Sequence, residues 1–387
     1  MKSVLALALP VCLTAVLIAL SQRAAESAPA PTHAPTPAPA SAPASQSVEN
    51  MPEGCIREWF SVESPTMKRW IKAVVLLPPG YQENPLRRYP VLYTLHGAGA
   101  PYQTYTEMST LRKALRDRPM VVASFDGDRA SGFVDSPTNP ASQFETFFFK
   151  EFVPYVDSHY RLNGQRAVTG FSMGGGGAFH YMIVKPDFFV SVSAQSMGFG
   201  RPGEGFGPGR GPGAASRPAG PQVGQGLTGG TMTRPADGVA GPSRPDAPAS
   251  RPDAPASRPA GGPTGRVNVV ARIEEYVKDK VKLPPMMIHC GTEDGGMIAR
   301  SRTFSQFLAE QNKLIADEAA NDPSLASETD PDKKAKALGA LVAARRLNFV
   351  YLESPSGHNW PFWLSAGELV IDFHWRSFRD APKPAGQ

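Results

Sequence analysis

Seven short apolar runs recur along the chain: WIKAVVLL (70–77), PVLYTLH (90–96), MVVASFD (120–126), RAVTGF (166–171), FFVSVSA (188–194), PMMIHC (285–290) and NFVYLE (348–353). Most are apolar nearly throughout rather than alternating, the pattern of strands covered on both faces. Between most of them lie longer stretches with helical spacing: TYTEMSTLRKAL (104–115), QFETFFFKEFVPYVDSHY (143–160), MGGGGAFHYMIV (173–184) and ARSRTFSQFLAEQ (299–311). Such alternation predicts an α/β fold with a mostly parallel central sheet and helices on both faces. In sheets of this kind, sites form at the carboxyl ends of strands.

Three segments break the pattern. Lys2 followed by an apolar run from Val4 to Leu20 predicts a signal peptide over residues 1–27, with an uncleaved N-terminal anchor as the alternative. Residues 28–49 are a Pro/Ala-rich linker, a composition that favours extended polyproline II. Residues 199–266 are rich in Gly, Pro and Arg, with SRPDAPA at Ser243 and Ser250 and a third copy starting at Ser257. The seven-residue period is that of a coiled coil, but proline in every copy rules out a helix. We read this segment as a disordered, tolerated insertion, with cell-wall or surface contact as the functional alternative. One folded domain then spans 50–382, interrupted by the insertion, and its roughly 265 ordered residues suffice for a sizeable core. The charged stretch from Ala316 to Arg346 reads as solvated helix and loop before the last strand.

Composition adds three points. The net charge of +5 owes much to arginines in the low-complexity segment, so no nucleic-acid partner is expected. The leader places the protein in the secreted fraction or the cell envelope, where surface association is open to it. Outside the leader the chain has two cysteines, Cys55 and Cys290, which either pair or remain separate thiols.

The chemistry centres on Gly170-Phe171-Ser172-Met173-Gly174, a G-x-S-x-G match between a predicted strand and a predicted helix. A sharp strand-to-helix turn there exposes the serine oxygen, and the Met173 amide points at a developing oxyanion from the helix N-terminus. A serine nucleophile needs a base and an orienting acid. Of seven histidines, His358 lies on a Ser/Gly/Pro loop just after the last predicted strand and is the candidate base. The acid is expected in Cys290-Gly291-Thr292-Glu293-Asp294, where a strand runs into a glycine turn; Asp294 is preferred and Glu293 is the alternative. The order Ser, Asp, His is that of α/β-hydrolases. A second oxyanion donor is expected from Ala98 or a neighbour in His96-Gly97-Ala98-Gly99, after an early strand. Gly97, Trp360 and Trp363 are the candidate substrate contacts, packing under the histidine loop being the other role for the tryptophans. No metal or organic cofactor is required by this chemistry.

Taken together, LPPGY (77–81), RYPVLYTLHGAG (88–99), SFDG (124–127), FETFFFKEFVPYVDSHYR (144–161), GFSMGGGGAF (170–179), CGTED (290–294) and GHNWPFW (357–363) resemble the esterase branch of the α/β-hydrolases. That branch includes feruloyl and acetyl-xylan esterases, S-formylglutathione hydrolases and mycolyltransferases. The resemblance implies Ser172, Asp294 and His358 as a triad and Ala98 with Met173 as the oxyanion hole. It implies an exported serine esterase acting on a small-molecule or polysaccharide-linked ester. An acyltransferase and a non-catalytic carbohydrate- or wall-binding protein are the alternatives. The insertion and the enlarged 313–346 connection depart from the family pattern.

Overall fold

The computed structural model describes residues 47–199 and 267–382. The expected leader, most of the linker and residues 200–266 lie outside the described residues. Among the described residues nine strands form one sheet: β1 (Ser47–Asn50), β2 (Ile56–Ser64), β3 (Arg69–Leu77), β4 (Tyr89–Leu95), β5 (Val121–Phe125), β6 (Leu162–Phe171), β7 (Ser191–Gln195), β8 (Met286–Gly291) and β9 (Phe349–Ser354). Their spatial order is β1-β2-β3-β5-β4-β6-β7-β8-β9. From β5 to β9 neighbours run parallel, and the first three strands add antiparallel at one side. The chain leaves β4 for β5 on one side and later enters β6 on the other. This reversal leaves a crevice outside the carboxyl ends of β4 and β6, where an open α/β sheet places its site.

Alternate residues of the central strands feed two cores. Val75, Val91, Tyr93, Ala123 and Val168 face one side, packed against α3 (Phe144–Phe147), α4 (Val153–His159), α5 (Met173–Val184), α6 (Val269–Lys278) and α7 (Ile298–Ala320). Leu76, Leu92, Val122, Ala167 and Met287 face the other side, with α1 (Thr104–Glu107), α2 (Ser109–Ala114), α9 (Trp360–Ser365) and α10 (Gly367–Asp380). Each such side chain removed from water contributes about 1.5–3 kcal/mol before chain entropy is counted. A π-helical turn, Phe148–Phe152, joins α3 to α4 and keeps Phe144, Phe147, Phe148 and Phe152 buried on one face.

β1 and β2 are absent from the hydropathy reading, for physical reasons. β1 is four exposed residues within or next to the stretch read as linker. β2 carries Arg57 inside, where it pairs with Glu49 at 2.5 Å and Glu107 at 3.0 Å. Phe199, at the start of the segment read as insertion, is buried against Phe179 and Phe304. The charged connection before β9 forms the end of α7 and all of α8 (Pro331–Arg345). Cys55 and Cys290 are both buried and free, one in each of two separate surroundings: Cys55 beside the Arg112 carbonyl, Cys290 beside Asp294.

Among the described residues, no helix is long and apolar enough to cross a membrane.

Candidate active site

Ser172 sits between β6 and α5 with φ 53° and ψ −116°. A side-chain-bearing residue there is strained by roughly 1–2 kcal/mol. The strain is held by packing and by the backbone: the Ser172 amide donates to the Gln195 carbonyl at 2.9 Å. The neighbouring glycines are sites of close approach. A Cβ on Gly170 would lie 2.2 Å from the Gly174 backbone, and one on Gly174 would lie 2.1 Å from the Leu95 carbonyl oxygen. Gly177 likewise makes room for Phe133. These contacts let α5 press against the end of β4, which puts the nucleophile turn beside the β4 loop.

From β9, the loop Ser354–Asn359 carries His358 back over that turn. Its Nε2 lies 3.1 Å from Ser172 Oγ, and its Nδ1 lies 2.9 Å from Asp294 Oδ2. A carboxylate only accepts, so Nδ1 carries the proton and Nε2 is free to accept from the serine. Asp294 is 2% exposed, in a turn closed by its own amide on the Gly291 carbonyl at 3.1 Å. Burial pushes its pKa up, but bonding to His358, the Ser196 hydroxyl and the Met297 amide outweighs burial and leaves it below the ordinary carboxylate value. Glu293, the alternative acid, points to solvent.

Asn359 caps α9 by accepting from the Phe362 amide at 3.2 Å, which anchors the histidine loop. Trp363 lies beneath it, nearly buried, edge-on to His358 with centroids 5.1 Å apart and stacked on Phe171 at 4.6 Å. Trp360 is 42% exposed at the rim. Gly97 is a packing position as well as a site neighbour, because a Cβ there would meet the Phe171 ring at 2.5 Å.

Met173 is the first residue of α5, so its amide has no intrahelical acceptor. The Ala98 turn is held by its neighbours: Gly99 donates to the Arg129 carbonyl and Ala100 to the Gly97 carbonyl, both at 3.0 Å. His96 is the post behind this turn. Its Nδ1–H donates to the Gly97 carbonyl at 2.8 Å and its Nε2 accepts from the Gly127 amide at 2.9 Å. Burial lowers its pKa, which suits the neutral ring this pairing requires. The signal for it was its place at the end of a fully buried strand.

Among the described residues, no three His, Cys, Asp or Glu side chains converge on a metal position. The array of Ser172, His358 and Asp294 can deprotonate a hydroxyl and stabilise the resulting imidazolium.

Residues 64–204 match the family described as "Putative esterase". An esterase of Mycobacterium tuberculosis is 34% identical over 132 residues, which cover 32% of this chain and 28% of that protein. The matched segment thus spans little more than a quarter of the curated relative's length. A ferulic acid esterase structure superposes with TM-score 0.55 at 19% identity, over 84% of this chain and 98% of its own. An S-formylglutathione hydrolase from Agrobacterium tumefaciens gives TM-score 0.51 at 15% identity, over 86% and 98%. A fluorophosphonate-binding serine hydrolase of Staphylococcus aureus gives 0.54 at 13% identity, over 82% and 98%. The fold is that of the α/β-hydrolase esterases.

Proposed function

We propose that this esterase-family chain is a serine carboxylic ester hydrolase with Ser172, His358 and Asp294 as its triad. The observation that carries the reading is the unbroken path from Asp294 Oδ2 through the His358 ring to Ser172 Oγ, with bonds of 2.9 and 3.1 Å. His358 takes the serine proton as Oγ attacks the ester carbonyl, and buried Asp294 stabilises the imidazolium. The Met173 and Ala98 amides hold the oxyanion of the tetrahedral intermediate. His358 then protonates the departing alcohol, leaving an acyl-serine. Water, deprotonated by His358, releases the acid and restores the hydroxyl.

The substrate we propose is an ester of a small alcohol or of a polysaccharide hydroxyl, lying against exposed Trp360. The apolar run Val4–Leu20 behind Lys2 supports export as its setting.

Purified protein should hydrolyse short p-nitrophenyl esters and be labelled by a fluorophosphonate. Ser172→Ala should abolish labelling and lower kcat by about 10⁵-fold or more with the melting temperature preserved. Retained hydrolysis in that variant would sink the assignment.

A further inference from the structure

Resting on the triad reading above, we propose that Trp363 is a positioning residue, whose indole sets the tilt of the His358 ring and so its aim at Ser172. Two hydrogen bonds hold the imidazole: Nδ1–H donates to Asp294 Oδ2 at 2.9 Å, and Nε2 accepts from Ser172 Oγ at 3.1 Å. A ring tied at those two points can still tilt about the axis that joins them. The loop that carries it is anchored at its start by Ser354, whose Oγ is 2.8 Å from His289 Nε2, and at its end by the Asn359 cap. These anchors fix the backbone, and the ring still needs a wall. The His358 side chain is 38% exposed, so no core encloses it. Among the described residues, the aromatic ring set against it is that of Trp363, with centroids 5.1 Å apart and planes at 87°. That is contact geometry for an edge-on pair, and a tilting imidazole meets the indole at once.

A wall is useful only if it is itself fixed, and the indole is held from three sides. Its backbone amide donates to the Asn359 carbonyl at 3.3 Å, in the first turn of α9. Its indole N–H donates to Ser196 Oγ at 3.1 Å. Ser196 follows β7, is fully buried and has φ 50°. Glycine is the default residue in that conformation, but glycine would leave the indole N–H without this acceptor. The Ser196 amide donates to the His289 carbonyl at 2.9 Å, which ties the acceptor to β8. On the third side Phe171 stacks on the indole at 4.6 Å with planes 26° apart. Phe171 immediately precedes Ser172, so one ring meets the base directly and the nucleophile through its neighbour. Burial separates the two tryptophans of α9: Trp360 is exposed at the rim, whereas Trp363 is buried with its N–H already bonded. Locking a functional side chain by packing and hydrogen-bonded support is what holds it in productive geometry.

The test compares wild type with Trp363→Leu, Trp363→Phe and Ser196→Ala in the full chain. Leucine removes the ring, phenylalanine keeps a ring without the N–H, and alanine leaves the indole in place without its acceptor. For each, kcat and KM on one p-nitrophenyl ester, the rate of fluorophosphonate labelling and the melting temperature are measured. We expect Trp363→Leu to lower kcat and the labelling rate together by about 10- to 100-fold, with KM within about twofold. Trp363→Phe should recover kcat to within about fivefold of wild type, and Ser196→Ala should lower it about three- to tenfold. A folded leucine variant with a lower melting temperature but kcat within about twofold of wild type would overturn the proposal, since packing would then be the whole role. A loss confined to KM would also overturn it, making Trp363 a substrate contact. So would equal losses of kcat in the leucine and phenylalanine variants, because a ring would then count for nothing. If the leucine variant does not fold, Ser196→Ala decides, and kcat within about twofold of wild type there would overturn the proposal. Absence of hydrolysis and labelling in the wild type would instead fail the triad reading itself, and this proposal with it.

Discussion

α5 and α8 are both well-formed helices, and they stand for opposite reasons. α5 has four consecutive glycines, each unfavourable to a helix by about 1 kcal/mol relative to alanine, yet eleven of its twelve residues are buried. α8 is PDKKAKALGALVAAR, capped by Asp330 on the amides of Asp332 and Lys333, with no residue buried. Local propensity, a cap and one ion pair from Arg345 to Glu318 of α7 hold α8. Packing alone holds α5, and the glycines that weaken it as a helix allow the approach that places Ser172. A poor helix in the right place serves the site better than a good one. The same residue type should therefore respond in opposite ways to one substitution.

The contrast breaks first at Gly174. Gly174→Ala would drive a methyl into the Leu95 backbone, 2.1 Å from its carbonyl oxygen. We expect a loss of about 3 kcal/mol or more, a fall of roughly 6–10 °C in melting temperature, and loss of fluorophosphonate labelling. Wild-type melting and labelling in this variant would remove close approach as the reason for the glycine.

Titrating groups sharpen the contrast further. Asp332, Lys333, Lys334 and Lys336 of α8 face solvent, whereas His289 and His374 are sealed in the core. Burial lowers their pKa values to about 4 and about 3. As pH falls below the ordinary histidine value of 6.5, the unfolded chain takes these protons and the folded protein does not. Stability is therefore unaffected by these groups above pH 6.5 and declines below it, by up to about 1.4 kcal/mol per pH unit for each histidine. His374→Gln, followed by urea unfolding between pH 7 and pH 5, should remove one such slope. An unchanged slope would mean that His374 charges in the folded state.

The smallest effect is expected on α8. A Cβ added to Gly339 meets nothing within 4 Å. Gly339→Ala should stabilise by about 0.5–1 kcal/mol, read as a rise of one to three degrees, with activity unchanged. Destabilisation there would show that Gly339 itself faces a packing partner.

Much of this was readable in advance, and the gaps have causes. The strands from β3 to β8 stood out because burial on both faces makes them largely apolar, whereas β9 was apolar enough to read although none of its residues is fully buried. β2 did not, because an ion pair seals Arg57 inside and so breaks the apolar signal. Ser172, Asp294 and His358 were legible because strand ends concentrate glycine turns and exposed polar groups. Ser196 and His96 carried no such mark. A serine after a strand and a histidine closing one acquire meaning only from the partners that folding brings, here Trp363, Gly97 and Gly127.

The sequence by itself determined the α/β alternation, the strand-to-helix turn at Ser172 and the chain order of the candidate triad, because these depend on local periodicity and turn chemistry. Tertiary structure alone decided that Asp294 rather than Glu293 meets His358 and that α5 presses on β4. It also decided that the Trp363 indole meets the buried Ser196 hydroxyl, since each of these depends on distances between residues far apart in the chain.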